Sequence, residues 1–184
     1  MRRPLRAAQS SAAGHDERLF FALWPDAPLR DALCRYQRHP DAGGRPIANC
    51  QLHLTLAFAG RVSPAQGQGL RDAAATVTER RFFLSLDWLD HFRATRVQWL
   101  GPRRPPDALL RLAAVLRGHC RAAGIAQPEA NFQPHVTLQR QIRRPLRGAV
   151  APALGWWVDH FVLVESGAQG RAGDYRVVSR WPLR

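Results

Sequence analysis

Two short stretches decide how this chain folds: Leu52-His53-Leu54-Thr55-Leu56 and, later, Pro134-His135-Val136-Thr137-Leu138. Both contain the pattern His-x-Thr-Leu, and both have the apolar character of β-strands. Because side chains alternate between the faces of a strand, each histidine shares a face with its threonine, while the apolar residues face the core. Two such faces brought together would place two imidazoles and two hydroxyls around one small space. The repeat therefore predicts a site where the two strands meet.

The composition is that of a folded protein with a strong excess of positive charge. The 184 residues include 27 basic side chains, all arginine, against 14 acidic ones, which gives a net charge of +13. A GC-rich coding sequence also favours arginine over lysine, but the excess charge itself favours polyanionic partners such as RNA, DNA or nucleotides. Without lysine, the chain cannot be a lysine-adenylating ligase, a P-loop protein or a Schiff-base enzyme.

The cysteines and the apolar segments predict a cytoplasmic protein. Cys34, Cys50 and Cys120 are widely spaced and match neither a disulfide framework nor a zinc-finger pattern, so we expect reduced thiols. The longest apolar run, Leu19 to Trp24, is too short to span a bilayer. Arg2-Arg3 is not followed by an apolar segment, so no secretion signal is expected.

Hydrophobic periodicity and turn residues divide the chain into seven strands and three helices. Strands are predicted at 19–24, 51–58, 82–88, 97–100, 135–141, 157–165 and 174–181, and helices at 28–38, 64–79 and 107–124. The last two strands flank the turn Gly167 to Gly173 and are typical of a hairpin. Residues 1–17 lack periodicity and are predicted to be a disordered extension.

The order of these elements predicts an α+β fold for one domain at 18–184. Each half of the chain carries a helix beside its His-x-Thr-Leu strand, although no short tandem repeat is present. This order fits a bilobal, pseudo-symmetric arrangement in which each lobe is an antiparallel sheet with helices on its outer face. The active-site cleft would then lie between the two lobes.

Paired histidines suit in-line displacement at a phosphodiester. One neutral imidazole can take a proton from the attacking water or hydroxyl, while the other, protonated, gives a proton to the leaving oxygen. The threonine hydroxyls on the same face can donate hydrogen bonds to the non-bridging phosphate oxygens. This scheme needs no metal and no cofactor.

The same residues leave other interpretations open. A single His-x-Thr in a strand is usually structural, and only its repetition in matching halves favours catalysis. The two histidines could instead bind zinc, although the sequence offers no convincing third ligand. A non-catalytic RNA- or nucleotide-binding protein could use the same basic cleft, with Arg143, Arg144 and Arg147 as phosphate contacts or as a solvated loop.

Several segments carry a resemblance to a known family: Arg18–Ala22, Leu52–Phe58, Val97–Pro102, Pro134–Leu138 with Arg140, Tyr175–Val177 and Arg180–Pro182. They resemble the 2H phosphoesterase superfamily, and within it the RNA 2′,3′-cyclic phosphodiesterases, historically called 2′-5′ RNA ligases. The resemblance implies opening of a 2′,3′-cyclic phosphate, on RNA or on a cyclic nucleotide, to a 2′-phosphomonoester. Ligation to a 2′-5′ bond would be the reverse reaction, and a monomer would suffice.

By position, the resemblance implies that His53 is the proton donor and His135 the proton acceptor. Thr55 and Thr137 would hold the phosphate, together with Arg140, five residues after the second histidine. Strict alternation would turn Arg140 away from His135. The assignment therefore requires that the strand ends or bulges there, or that the arginine side chain wraps back.

Two aromatic residues and two departures from the family pattern complete the predicted site. Phe20 or Phe21 could stack on a nucleobase, or both could pack in the core. Asn131 stands where relatives often have arginine, and Cys50-Gln51-Leu52 stands where they have Glu-Asn-Leu. Either departure could alter substrate preference without removing the histidine pair.

Overall fold

The strands that carry the two motifs lie side by side at the centre of the sheet. In this computed structural model, which describes residues 16–37, 43–128, 132–167 and 174–184, nine strands form one antiparallel sheet and three helices pack against it. The strands are β1 Glu17–Leu23, β2 Arg45–Pro46, β3 Leu54–Val62, β4 Phe82–Phe92, β5 Val97–Gly101, β6 Val136–Arg140, β7 Gly148–Val158, β8 His160–Ser166 and β9 Tyr175–Pro182. The helices are α1 Ala27–Gln37, α2 Pro64–Ala75 and α3 Asp107–Ala122. The predicted α+β class is confirmed.

The sheet consists of two groups of four strands with the order β7-β4-β5-β6-β3-β1-β8-β9, and β2 pairs with β6. The β3 group (β3, β1, β8, β9) and the β6 group (β6, β5, β4, β7) meet where Leu54 pairs with Val136. The groups are not the two halves of the sequence, because β8 and β9 return to β1. Hydrogen bonds join all these strands in one sheet, so the two-lobe description stays a prediction.

The helices lie on one face of the sheet and leave the other face to the motif side chains. α1 packs against β6 and β7, α3 against β3, and α2 against β1 and β9. Leu54 and Val136 are both 0% exposed and belong to this core, so the residues that alternate with them face away from the helices. No helix in the described part of the chain is long and apolar enough to cross a membrane.

The face opposite the helices has its own small apolar cluster on β1, β8 and β9. Its members are buried or partly buried: Phe20, Ala22, Val162 and Val164, with Trp24, Tyr175 and Val177 packed against them. This cluster gives the motif histidines an apolar neighbourhood on a face that would otherwise be open to water.

Capping residues set the start of α2, as its sequence predicts. The Ser63 hydroxyl accepts a hydrogen bond from the Gln66 backbone N–H, and the Gln66 side chain accepts one from the Ser63 N–H. Such a capping box contributes about 1 kcal/mol to helix stability. The helix ends at Ala75, four residues before the predicted residue 79. At this end, the hydroxyl of the C-cap residue Thr76 donates a hydrogen bond to the Ala73 carbonyl.

Two strands, the two-residue β2 and the longer β7, are absent from the sequence prediction. β7 is rich in alanine and glycine and contains Pro152, so it lacks the β-branched pattern of a strand. The single strand predicted at 157–165 is wrong in its first part. Residues 157 and 158 are the end of β7, and β8 begins only at His160. β8 and β9 pair as the predicted hairpin. Most of its predicted turn, and residues 1–15 of the predicted extension, lie outside the described residues.

The first strand begins slightly earlier than predicted. β1 starts at Glu17 rather than Leu19, and Glu17 pairs with Val62 of β3. Its carboxylate also forms an ion pair with Arg71 of α2 at 3.0 Å. These contacts fix the first residue of β1 against the sheet and a helix.

Candidate active site

The pairing of Leu54 with Val136 sets how the two motifs face each other. Continued by one residue in each direction, this antiparallel register places Thr55 beside His135 and Thr137 beside His53. Directly opposite residues in such a ladder are about 5 Å apart and diagonal neighbours about 7–8 Å. The histidines thus form a diagonal pair, at a spacing from which both side chains can reach one small group bound between them.

All the residues that the sequence predicts for the site line one cavity of about 1120 Å³. These are Phe20, His53, Thr55, His135, Thr137 and Arg140. The cavity lies on the face of the sheet opposite the helices, over the junction of β3 and β6. The repeated strands therefore bring together side chains that are far apart in the sequence.

Both imidazoles are held by the same backbone hydrogen bond. His53 Nδ1 lies 2.6 Å from the Gln51 carbonyl oxygen, and His135 Nδ1 lies 2.8 Å from the Gln133 carbonyl oxygen. A carbonyl oxygen accepts only, so Nδ1 must carry the proton in each ring. This tautomer leaves Nε2 of each histidine as the atom that can accept or deliver a proton.

Aromatic rings enclose His53. Its ring is stacked on Trp24 with centroids 5.7 Å apart and an interplanar angle of 13°, and it lies 4.9 Å from Phe20. Tyr175 contacts it edge-on at 5.3 Å. Phe20 is only 3% exposed, and its ring packs against the imidazole. Phe21 is fully buried against Phe161 in the core, which favours the packing interpretation for this residue.

His135 has a smaller aromatic enclosure on its own side of the junction. Phe92 contacts its ring edge-on at 4.8 Å, and Trp99 lies 6.0 Å away. Phe92 and Trp99 also pack on each other at 5.5 Å. Each histidine is thus restrained by rings from its own strand group, which limits side-chain rotation.

Burial lowers the pKa of both imidazoles. The pKa of His53 falls from 6.5 to about 4, and the largest cause is loss of hydration on burial. The hydrogen bond to the Gln51 carbonyl opposes this shift, while the positive charges of His135 and Arg140 add to it. The pKa of His135 is lowered too, first by burial and then by Arg140, against the effect of the bond to Gln133. Both rings are therefore neutral near pH 7 in the free protein, and a bound phosphate anion would raise both pKa values.

A β-bulge brings Arg140 to the same side of the sheet as His135. The register between β5 and β6 shifts by one residue between Gln98–Gln139 and Trp99–Thr137, which leaves Leu138 as the extra residue. Leu138 and Gln139 are consequently both buried, and the alternation is reversed beyond them. Of the three arrangements that the sequence leaves open for Arg140, the structure has the bulge.

The first motif has the equivalent bulge. The register between β1 and β3 shifts between Phe21–Ala57 and Ala22–Thr55, which leaves Leu56 as the extra residue, three positions after His53 as Leu138 is after His135. Phe58 is therefore the counterpart of Arg140. It lines the cavity, is 45% exposed, and has the Arg18 guanidinium 5.4 Å from its ring centroid. Its spacing from His53 is the signal by which the sequence could have identified it.

The predicted alternative arginine cluster does not line the large cavity. Arg147 forms an ion pair with Asp90 at 3.0 Å and lies 5.8 Å from the Trp88 ring centroid. Among the described residues, no three histidine, cysteine or carboxylate side chains are grouped as metal ligands. The third ligand that the zinc interpretation needs is not found in this part of the chain.

Gly101 provides a test of how closely β5 approaches the second motif. A Cβ at this position would overlap the Pro134 carbonyl oxygen and lie 3.5 Å from the His135 Cα. We expect Gly101→Ala to lower the free energy of unfolding by about 1–3 kcal/mol, because the backbone at Pro134 must move. The same shift moves His135, so we expect lower kcat as well as lower Tm.

Gly118 is the matched control for this substitution. It lies in α3, and a Cβ there would meet nothing within 4 Å. Gly118→Ala should raise stability by about 0.5–1 kcal/mol through helix propensity and leave activity unchanged. Unchanged Tm and kcat in Gly101→Ala would show that the strand approach does not position His135.

Comparison with known proteins gives a consistent family assignment. The profile of the 2′-5′ RNA ligase superfamily matches residues 25–170. An RNA 2′,3′-cyclic phosphodiesterase of Escherichia coli is 36% identical over 172 residues, which cover 91% of this chain and 97% of that protein. A protein of the same name from Thermus thermophilus is 29% identical over 181 residues, covering 91% and 90% of the two chains. The crystal structure of E. coli LigT complexed with 3′-AMP matches with a TM-score of 0.83 and 35% identity, over 92% of this chain and 99% of that one.

Proposed function

The chain belongs to the 2′-5′ RNA ligase superfamily, and on that premise we propose that it opens terminal 2′,3′-cyclic phosphates of RNA by histidine acid–base catalysis. The observation that carries the proposal is the pair of identically held imidazoles, each with Nδ1 on a carbonyl and Nε2 free. The relatives are named RNA 2′,3′-cyclic phosphodiesterases, and the activity of this chain is of the same kind: hydrolysis of a phosphoric diester.

In the proposed reaction, water attacks the phosphorus of the cyclic ester in line with the 3′-oxygen. His135 Nε2 accepts a proton from the water as the new P–O bond forms. His53, protonated at Nε2, gives its proton to the 3′-oxygen as that P–O bond breaks. The products are a 2′-phosphomonoester and a free 3′-hydroxyl, and return of one proton from His135 to His53 through solvent restores the starting state.

Hydrogen-bond donors around the pair support binding of the phosphate. Thr55 and Thr137 stand beside the opposite histidine in the continued register, so both hydroxyls can donate to the non-bridging oxygens. The bulge at Leu138 directs Arg140 to the same cavity. These three groups would stabilise the negative charge that develops on the phosphate in the transition state.

The proposed substrates are RNAs with 2′,3′-cyclic phosphate ends and cyclic nucleotides. The net charge of +13 favours a polyanion, and the exposed ring of Phe58 offers a flat apolar surface in the cavity for the terminal base. Stacking of a base on Phe20 stays a prediction. Its contact with His53 supports a positioning role, because a 3% exposed ring has little free surface.

A binding protein without turnover is the second candidate, and it rests on the basic charge alone. It would keep the cavity and Arg140 but would not need matched tautomers in both histidines. Salt-sensitive RNA binding without product, unaffected by replacement of His53 and His135, would support it. The cytoplasmic location, the monomeric state and 2′-5′ ligation stay predictions; Cys34, Cys50 and Cys120 form no disulfide with one another.

Product identification tests the proposed reaction most directly. Purified protein with an oligonucleotide ending in a 2′,3′-cyclic phosphate should yield only the 2′-phosphomonoester, because the proposed acid delivers its proton to the 3′-oxygen. The rate should be unchanged in excess EDTA, since both proton transfers use side chains. A 3′-phosphate product would contradict the assigned leaving oxygen, and loss of the rate in EDTA would contradict the metal-independent scheme.

A further inference from the structure

A second cavity of about 570 Å³ lies beside the active-site cavity. Three exposed arginines line it: Arg45 of β2, Arg96 of the turn between β4 and β5, and Arg143 of the loop after β6. We call this cavity the arginine groove. Its remaining lining consists of glycine, proline and glutamine, so no acidic side chain of the described residues faces it.

The charges of the arginine groove are not neutralised within the described structure. Some exposed arginines elsewhere have carboxylate partners, as Arg111 has in Glu79 and Arg176 in Glu165. Arg45, Arg96 and Arg143 form no ion pair and no side-chain hydrogen bond with the described residues. Three guanidinium groups lie around one concave surface, and none of them is paired with a carboxylate among the described residues, which favours an anionic ligand.

The groove continues directly from the active site. Arg45 and Pro46 line both cavities, and Arg45 is the strand partner of Arg140 across β2 and β6. Arg140 in turn lies opposite Val97, the residue after Arg96. A chain of phosphates that begins between the two histidines can therefore pass Arg140 and Arg45 and reach Arg96 and Arg143 without leaving positive surface.

The backbone of the groove adopts conformations that usually require glycine. Arg96 has φ +52° and Gln141 has φ +58°, both in the left-handed region. The Ile142 N–H donates to the Arg96 carbonyl at 3.1 Å and ties the two segments together. In a hairpin turn the position of Arg96 favours glycine or asparagine, so a long charged side chain there suggests a role for the charge.

We propose that the arginine groove binds the internucleotide phosphates on the 5′ side of the terminal cyclic phosphate. This inference rests on the proposed function, and it makes an oligonucleotide the preferred substrate over a cyclic mononucleotide. A mononucleotide has no such phosphate and would gain nothing from the groove. The recognition is of the backbone, so it carries no preference for base sequence.

The test compares two double variants on two substrates. Arg96→Gln/Arg143→Gln removes charge from the groove and keeps Arg45, which also lines the active-site cavity. Arg104→Gln/Arg121→Gln is the control, because both residues are exposed, line neither cavity and change the net charge equally. The substrates are a nucleoside 2′,3′-cyclic phosphate and a tetranucleotide ending in that same group.

For the groove variant we expect kcat/KM to fall about tenfold on the tetranucleotide and to stay unchanged on the mononucleotide. The slope of log(kcat/KM) against log[salt] for the tetranucleotide should become less steep by about 1.4, which is about 0.7 for each single-strand phosphate contact. The control variant should match the wild type on both substrates. Equal losses on both substrates, or no loss on either, would overturn the proposal.

The outcome also separates this inference from the proposed function. If the wild type hydrolyses neither substrate, the proposed function fails, and the groove is tested by binding of a 3′-phosphorylated tetranucleotide to the same variants. Weaker binding to the groove variant alone would then support the groove. If the wild type hydrolyses both substrates with equal kcat/KM and equal salt slopes, only the groove proposal fails.

Discussion

Replacement of either motif histidine by alanine is expected to reduce kcat by about 10²–10⁴-fold, the usual contribution of a positioned acid or base. His53→Ala removes one proton-transfer atom and His135→Ala the other, while the phosphate-binding groups remain. Because both rings pack among aromatic side chains, His→Gln variants serve as a second set that keeps more of the side-chain volume. His160→Ala is the control, since His160 contacts Asp159 and lines neither cavity.

A substrate with a good leaving group would separate the two roles. With sulfur in place of the 3′-oxygen, the leaving thiolate needs little protonation, because a thiol is far more acidic than an alcohol. We expect His53→Ala to recover most of its activity on this substrate and His135→Ala to recover none. The reverse result would exchange acid and base. The pKa of His53 in the free protein, about 4, would by itself favour His53 as the base, whereas the family resemblance makes it the acid. This measurement decides between the two assignments.

The pH dependence of kcat/KM is expected to be bell-shaped with an acidic optimum. Catalysis needs one protonated and one neutral imidazole, and kcat/KM reports the pKa values of the free protein. Since burial lowers the pKa of His53 to about 4 and that of His135 below its usual value, the maximum should lie below pH 6.5. Above the higher pKa, the fraction of the free protein that carries the required imidazolium falls tenfold for each pH unit. We therefore expect kcat/KM to fall about 100-fold from pH 7 to pH 9.

The profile of kcat provides the internal control for this expectation. A bound phosphate anion favours the imidazolium form, so the maximum of kcat should lie at higher pH than that of kcat/KM. His135→Gln leaves only one titrating imidazole and should lose one limb of the bell. A rate that is flat from pH 5 to 9 would contradict acid–base roles for the pair.

The position of Arg140 shows how much of the site the sequence predicts. Alternation along a strand places His53 with Thr55 and His135 with Thr137, and the structure has all four on one cavity. Alternation fails for Arg140, because a bulge depends on the register with β5 and leaves no mark in the local sequence. The matching bulge after His53 leaves no local mark either, so only the five-residue spacing that Phe58 shares with Arg140 could have indicated it.

The fold shows the same division between local and long-range information. Capping residues predict the start of α2 correctly, because Ser63 acts on its own neighbours. β7 depends on its partner β4 rather than on its own composition, so the alanine- and glycine-rich segment gives no strand signal. Trp24 and Tyr175 both contact the His53 ring although they lie far apart in the sequence, so only the tertiary structure brings them together.

Elements that are close in the sequence belong to different strand groups, and this arrangement has a consequence for folding during synthesis. α1 follows β1 but packs on β6 and β7, and β1 is flanked on one side by β8, which is synthesised much later. Neither strand group can therefore bury its apolar face while the chain is short, and non-local pairings of this kind fold slowly. A nascent chain that has not yet reached β9 cannot place Tyr175 against His53. The first motif is thus made early by the ribosome and acquires its final surroundings among the last steps of folding.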